Sequence, residues 1–299
     1  VDSVVLCHLM HQAGLPFAIA HCNFQLRGEN ADADEAFVKK LAKNLQVPYF
    51  VTRYDTLKFA EQNKLSIQQA ARELRYAWLE ETRQLAGCQH IATAHPLDDS
   101  IETLLYNFTK GCGLRGLHGI PPKHGPIIRP ILFATKRQVL EFAQANNLTY
   151  REDASNLTDK YSRNLLRHHA VPVFEKINPN FQHTAGQNIE RLREAEQLYD
   201  FALQRITDEV LEKRPDEWRI DLQKLRSYPA PATVLYELLK QNGFNNDQVA
   251  DILQSADNQP GGWFHSPTRR LLVDRFFLIL PLGGNVGGVQ EIPSQEASS

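Results

Sequence analysis

The sequence predicts an α/β fold: a parallel sheet with helices on both faces, followed by a long helix and a small, mainly helical domain with a β-hairpin. Three observations carry this expectation. Short apolar runs alternate with helix-period segments through the first half, and that alternation calls for a parallel sheet covered on both sides. From about residue 180 to about residue 213 a helical pattern runs without glycine after Gly186. Near the end, GGWFHSPTRRLLVDRFFLIL at 261–280 reads as two strands around a turn at Asp274-Arg275.

Taken in order, residues 3–13 read as a helix and FAIAHCN at 17–23 as a buried strand. Residues 32–46 place Phe37, Val38, Leu41, Ala42 and Leu45 on one helical face. YFVTR at 49–53 is a strand. Ser66 then caps a helix over 66–81 whose apolar positions are Ile67, Ala70, Ala71, Leu74, Ala77 and Trp78. HIATAH at 90–95 is another strand, followed by a helix over 97–109. IIRPIL at 127–132 is expected at a sheet edge, because Pro130 cannot donate to a ladder. A helix follows at 135–146, and shorter helices fit 230–242 and 246–256 beyond the long one. The tail from Gly283 is rich in Gly and Ser and is expected to be disordered.

Composition narrows the function. Lys and Arg number 33 against 35 Asp and Glu in 299 residues, with 42% hydrophobic residues, which excludes a chain disordered throughout. That length admits two domains. No stretch approaches the roughly 18 apolar residues of a membrane span, so no membrane partner is expected. Cys7, Cys22, Cys88 and Cys112 form no CxxC pair, which favours a reducing cytoplasm over a disulfide scaffold. The chain opens Val1-Asp2-Ser3 with Met10 as its one methionine, so residues are expected to precede Val1.

In α/β sheets ligands bind beyond the carboxyl ends of the strands, which directs attention to the loops starting at His21 and His95. After His95, Asp98, Asp99 and Glu102 stand at i, i+4 and i, i+3 spacings and can share a helix face. Acidic residues suit any first helical turn. They also suit Mg²⁺ or a substrate ammonium beside a phosphate site. On the 66–81 helix, Gln69, Arg72 and Tyr76 lie opposite the apolar face with Arg75 on its flank, either solvated or clamping phosphates. Residues 103–140 hold no Asp or Glu, but they hold Lys110, Arg115, Lys123, Arg129, Lys136, Arg137 and the glycines of KGCGLRGLHG. A second acid-free run, KYSRNLLRHH, spans 160–169 and includes Arg163 and Arg167. Two such runs favour a polyanion surface over a flexible loop that lacks acids by chance.

Together, HCNFQLRGENADADEAFVKKLA, SIQQAARELRYAWLEE, IATAHPLDDSIETLLYNFTKGCGLRGLHGIPP, IIRPIL and REDASNLTDKYSRNLLRHH, in this order, resemble the tRNA(Ile)-lysidine synthetase family. That family is a branch of the PP-loop, or N-type ATP pyrophosphatase, superfamily. The resemblance covers residues 1–215 in detail and the remainder more loosely. It implies an adenine nucleotide alpha hydrolase-like, Rossmann-like fold. It implies a ligase forming carbon–nitrogen bonds, which adenylates C2 of the wobble cytidine of CAU-anticodon tRNA(Ile) with ATP and then joins L-lysine to it.

By the same resemblance Val1, Asp2 and Ser3 match the end of the family's SGGxDS phosphate loop, so the first strand and the start of that loop are expected upstream. Asp2, Ser3, His21, Asn23 and Arg72 would bind ATP. Asp2 and Asp99 would hold Mg²⁺. His95, Asp98, Asp99, Glu102 and Arg75 would serve the reaction centre. Lys110, Arg115, Arg129, Arg163 and Arg167 would hold the tRNA. The implied domains are a catalytic domain at 1–176, a linker helix at 177–213, a small tRNA-contacting domain at 214–282 and the tail at 283–299. A homodimer is left open. Pro96, Ser100 and Phe24 stand where family members often have His, Gln and His. Rival readings are a PP-loop tRNA thiolase, which usually uses paired cysteines, and a tRNA-binding remnant without ATP chemistry.

Overall fold

The apolar stripes of the first half become alternating helices and short strands. The computed structural model describes residues 1–151, 162–258 and 260–283. It forms two units, Val1–Glu194 and Ala195–Ser299. Among the described residues no helix is long and apolar enough to cross a membrane. The tail beyond Gly283, and residues 152–161 with Lys160 and Tyr161 of the second acid-free run, lie outside the described residues.

The first unit opens with α1 (Asp2–Gln12), β1 (Ile19–Asn23), α2 (Glu29–Leu45), β2 (Tyr49–Arg53), α3 (Thr56–Asn63) and α4 (Ile67–Leu85). It continues through β3 (Ile91–Ala92), α5 (Leu97–Lys110), α6 (Leu114–Leu117), β4 (Lys123–His124), β5 (Ile127–Ile128) and α7 (Lys136–Ala145). After the undescribed segment come α8 (Ser162–Leu165), a π-helical turn (Leu166–Ala170), α9 (Val171–Ile177) and α10 (Phe181–Val210), within which the division into units falls.

The parallel arrangement is present. β1 pairs with β2 in parallel from Ile19↔Tyr49 to Asn23↔Arg53, and β3 pairs with β5 in parallel. Helix α1 explains its VVL run by packing in two directions. Val4 joins Ile19, Leu41, Ala42 and Leu45, whereas Val5 and Leu6 join Ile131, Val139 and Ala143 under α7.

Several elements differ from expectation. The 127–132 segment is not an edge strand: β5 is two residues long and lies between β3 and β4. Its ladder ends before Pro130. A turn then takes over, with Leu132 N–H donating to Arg129 O at 3.2 Å, and Ile131 and Leu132 enter the core. The 90–95 strand is only Ile91–Ala92, because the chain leaves the ladder after Thr93 N–H reaches Ile128 O at 3.0 Å. Helix α3, capped by Asp55 on Lys58 N–H at 3.1 Å, had too weak an apolar period to show. Ser66 does cap α4, through a reciprocal capping box with Gln69. Ile67, by contrast, sits 46% exposed in that helix's first turn, outside the core.

In the second unit, β6 (Leu211–Lys213), β7 (Glu217–Asp221), β8 (Trp263–His265), β9 (Arg270–Val273) and β10 (Phe277–Pro281) form one antiparallel sheet ordered β6-β7-β10-β9-β8. The helices are α11 (Leu222–Ser227), α12 (Pro231–Leu239) with a 3₁₀ turn at Lys240–Asn242, and α13 (Asn246–Asn258). The expected hairpin is β9–β10, closed by Asp274 N–H to Phe277 O at 2.9 Å. Three further strands join it. Of these, β7 shows a short alternation, EWRID, in which Ile220 is buried between charged neighbours. Leu235, Leu239, Ile252, Leu271, Leu278 and Leu280 close this core.

The glycine-rich basic loop after α5 is pinned rather than free. Ser100, fully buried in α5, accepts Ile120 N–H at 2.9 Å, and Asn107 donates to Gly116 O at 2.9 Å. Gly119 has φ +66°, and a Cβ there would stand 2.2 Å from Ser100 Oγ and 2.7 Å from its carbonyl oxygen. Gly119→Ala is therefore expected to cost about 1–3 kcal/mol through left-handed strain and collision. Urea denaturation of the two proteins measures it; an unchanged midpoint would contradict the packing.

Candidate active site

The first two turns of α5 place three carboxylates, and each has a different environment. Pro96, extended at ψ 173°, ends the chain leaving β3 and starts the helix. Asp98 Oδ2 accepts Lys136 N–H at 2.6 Å, at the start of α7, and Asp98 Oδ1 accepts from Gln182 Nε2 of α10 at 3.3 Å. Gly186, one turn after Gln182, lets α10 come close: a Cβ there would lie 3.1 Å from Leu97 Cδ2. Ile101 packs with Ala185 and Ile189 on the same side.

Asp99 and Glu102 share the next face. Arg167 of the π-helical turn donates Nε to Glu102 Oε1 at 2.6 Å and Nη2 to Glu102 Oε2 at 3.1 Å and Asp99 Oδ1 at 3.3 Å. Glu102 is 2% exposed. Burial, then the charge of Glu102, pushes Asp99 up to about 6 against the opposing charge of Arg167. Burial also raises Glu102, opposed by its hydrogen bond to Arg167. Arg167 was expected on the tRNA surface; the structure commits its fork to these carboxylates, because a buried carboxylate needs a paired cation. Ile101, Glu102, Arg167, Val171 and Gln182 line a small cavity beside Asp98.

His95 lies where positive charge collects. Its Nδ1 is 3.0 Å from Thr93 Oγ1. Burial, then the charges of Arg129, Arg163, Arg72 and Arg75, pushes it down to about 4. It is neutral at pH 7, a hydrogen-bonding group rather than a cation. Arg72 stacks on Tyr76 at 4.9 Å and Arg75 on Phe24 at 5.1 Å, which holds both guanidinium groups without an ion pair among the described residues. Arg129 donates Nη1 to Pro121 O at 2.6 Å, while its buried Nε has no partner among the described residues. Burial lowers its pKa, with Tyr76 opposing and Arg72 adding to the effect. Arg129 thus adds its charge to the His95 group. Arg163, whose charge also reaches His95, is exposed on α8. Lys110, 5.6 Å from the Tyr106 ring, and Arg115 are exposed near the end of α5 and on α6.

Nearer the amino terminus, Asp2 receives Lys136 Nζ on both oxygens at 2.6 and 2.7 Å, and Ser3 is exposed beside it. His21 is half-buried on β1. Burial lowers its pKa, against the charges of Glu35 and Asp34 and with that of Arg75. Asn23 is 2% exposed and spends its amide inside the protein. It donates to Asp32 at 3.1 Å and Glu35 at 2.9 Å and accepts Gln25 N–H at 3.0 Å. Its task is to hold the loop after His21. Sequence reasoning assigned no site role to Gln182, for which no signal exists, or to Lys136, which stood only as one of several basic residues. Among the described residues no group of three or more His, Cys, Asp and Glu is arranged to hold a metal on protein ligands alone.

The arrangement offers arginines around a neutral imidazole for an anion and buried carboxylates for a cation. Comparison with known proteins identifies the domains. Residues 1–174 match the profile of the PP-loop domain, and residues 213–282 that of the TilS substrate binding domain. The tRNA(Ile)-lysidine synthase of Parabacteroides distasonis is 42% identical over 277 residues, 93% of this chain and 63% of that protein. The tRNA(Ile)-lysidine synthase of Bacteroides thetaiotaomicron is 37% identical over 279 residues, 93% of this chain and 65% of that protein. The chain thus spans under two thirds of these relatives' length. Among solved structures, the U34-tRNA thiolase NcsA from Methanococcus maripaludis, with its 4Fe-4S cluster, matches 64% of this chain and 68% of its own. Its TM-score is 0.52 at 19% identity, a likeness of fold.

Two expectations follow for the site. Arg167→Ala leaves Glu102 buried without its cation and is expected to cost about 1–3 kcal/mol, reduced from a fully buried pair because Arg167 is partly exposed; chemical denaturation reads it. His95 has the opposite sign of pH dependence to Asp99. Its folded pKa of about 4 lies below the unfolded value near 6.5, so the unfolded chain binds the extra proton and stability falls as pH drops from 6.5 to 4. His95→Asn should remove that loss, retaining about 1–2 kcal/mol more than the parent between pH 8 and pH 5. Parallel denaturation curves at both pH values would refute it.

Proposed function

Since the chain belongs to the PP-loop domain family, we propose that it is the greater part of an enzyme that joins L-lysine to C2 of the wobble cytidine of CAU-anticodon tRNA(Ile), using ATP. The observation that carries this reading is the placement of a buried carboxylate cluster against an arginine-rich group within one unit that matches the PP-loop domain. The relatives named tRNA(Ile)-lysidine synthase support it.

Two steps make up the reaction. The cytidine C2 oxygen attacks the α-phosphorus of ATP; that O–P bond forms, the α–β bridge breaks, and diphosphate leaves. The lysine ε-amine then attacks C2, AMP leaves with the oxygen, and the amine sheds a proton. Adenylation is needed because the C2 oxygen is a poor leaving group. The first step places negative charge where Arg72, Arg75 and neutral His95 collect, with the triphosphate near the first turn of α1 at Asp2 and Ser3. His21, on β1 just before the loop that Asn23 holds, would contribute to the nucleotide site.

In the second step the lysine ammonium would approach the carboxylates of Asp98, Asp99 and Glu102, beside the small cavity that Ile101, Arg167, Val171 and Gln182 help to line. Asp99, its carboxyl pushed up to about 6, would accept the amine's proton. Asp2 and Asp99 fit Mg²⁺, which takes one or two carboxylates and completes its shell with phosphate oxygens and water. Bound there, it would neutralise charge on the departing diphosphate.

The exposed Lys110, Arg115 and Arg163 would track the tRNA backbone. Residues 1–176 form the catalytic domain in this reading, 177–213 the linker helix and 214–282 the second tRNA contact. The thiolase reading is weaker. Burial pushes the thiols of Cys7 and Cys22 up to about 11, away from the thiolate that sulfur or iron–sulfur chemistry uses.

The test is the full-length protein with ATP, radiolabelled lysine and a CAU-anticodon tRNA(Ile) transcript. Label is expected in that transcript and not in one with the wobble C changed to U. No tRNA-linked lysine, or equal label in both, refutes the reading. Asp99→Asn should lower product formation at least about a hundred-fold while the melting temperature holds or rises. Parent turnover should climb as pH rises through about 6, where Asp99 loses its proton.

A further inference from the structure

Lys136 makes a contact that the groups above leave unexplained. It opens α7, 134 residues from Asp2 in the chain, yet its ammonium donates to both Asp2 oxygens at 2.6 and 2.7 Å. Its backbone is fixed just as closely. Lys136 N–H donates to Asp98 Oδ2 at 2.6 Å, Leu97 N–H to Ala134 O at 2.8 Å, and a capping box of Thr135 and Gln138 closes the first turn of α7. Asp98 therefore holds the main chain of Lys136 while Asp2 holds its charge. The side chains of Lys136 and Asp2 are 37% and 26% exposed, so the pair is open to solvent. A pair at that exposure adds little stability. Its placement matters more. A triphosphate approaching the first turn of α1 meets the Asp2 carboxylate, which repels it unless a cation stands beside it.

Resting on the nucleotide-site reading above, we propose that Lys136 is a triphosphate-binding residue and that Asp98 is its positioning residue. Asp2 holds the ammonium at 2.6 and 2.7 Å. The arriving polyanion takes it over, and the Asp2 oxygens so released become available to the nucleotide's metal. This gives the first carboxylate of the Asp98-Asp99 pair a task separate from its neighbour's: it ties the α5 turn to the phosphate end of the site.

Calorimetric binding of an α,β-methylene ATP analogue to the full-length protein, with and without Mg²⁺, tests this without turnover. Lys136→Met should weaken binding at least about ten-fold, the value of one charge-assisted hydrogen bond, and Lys136→Arg should recover most of it. Asp98→Ala should weaken binding similarly, and Asp98→Asn, which keeps an acceptor oxygen for Lys136 N–H, should recover most of that loss. The double variant Lys136→Met with Asp98→Ala should bind no worse than Lys136→Met alone. Binding by Lys136→Met within about two-fold of the parent overturns the proposal. Fully additive losses overturn the role of Asp98. A parent protein that does not bind the analogue overturns the nucleotide-site reading and this inference with it.

Discussion

The ion pair between Glu102 and Arg167 is the constraint around which the first unit is arranged. Glu102 adjoins Ile101, which is sealed against Ala185 and Ile189, so the carboxylate cannot turn to water without withdrawing the core residue beside it. An unpaired carboxylate in that position would be expensive. Its cation comes from a segment 65 residues later in the chain. The late helices are thereby required to return to the start of α5. Gly186 permits the close approach, and Gln182 extends the contact to Asp98.

That constraint divides the site electrically. On one side Arg72, Arg75 and Arg129 stand around an imidazole kept neutral by burial first and by their charges second. On the other, two carboxylates share one guanidinium and keep part of their negative charge uncompensated. The Asp98, Lys136 and Asp2 contacts run between the two. A site of this kind can hold an anion and a cation close together without either displacing the other's partner, which two-substrate chemistry requires.

Local signals were legible in the sequence. The Ser66 cap, the helix-period stripes and the turn at Asp274 each depend on residues within one or two turns of one another, and each appears in the structure. The grouping of Asp98, Asp99 and Glu102 was readable for the same reason, since the first two turns of one helix carry them. What a side chain meets across the fold was not readable. Nothing local to Arg167 distinguishes it from Arg163, though one is committed to carboxylates and the other is exposed. Strands such as Lys123–His124 exist only because Ile127–Ile128 lies alongside, and EWRID shows a two-residue period over too short a span to stand out.

The π-helical turn at Leu166–Ala170 has a consequence for how this segment can vary. A π turn holds one more residue than the α turn it replaces. Each residue in an α-helix rotates the next by about 100°. Deleting a single residue there would let the turn relax to ordinary α-helix while α9 stayed docked. The guanidinium of Arg167 would then swing about a quarter of the way round the axis, off Glu102. The segment is accordingly tolerant in identity at its exposed positions and intolerant in length. In this stretch a one-residue gap would be a heavier lesion than most substitutions.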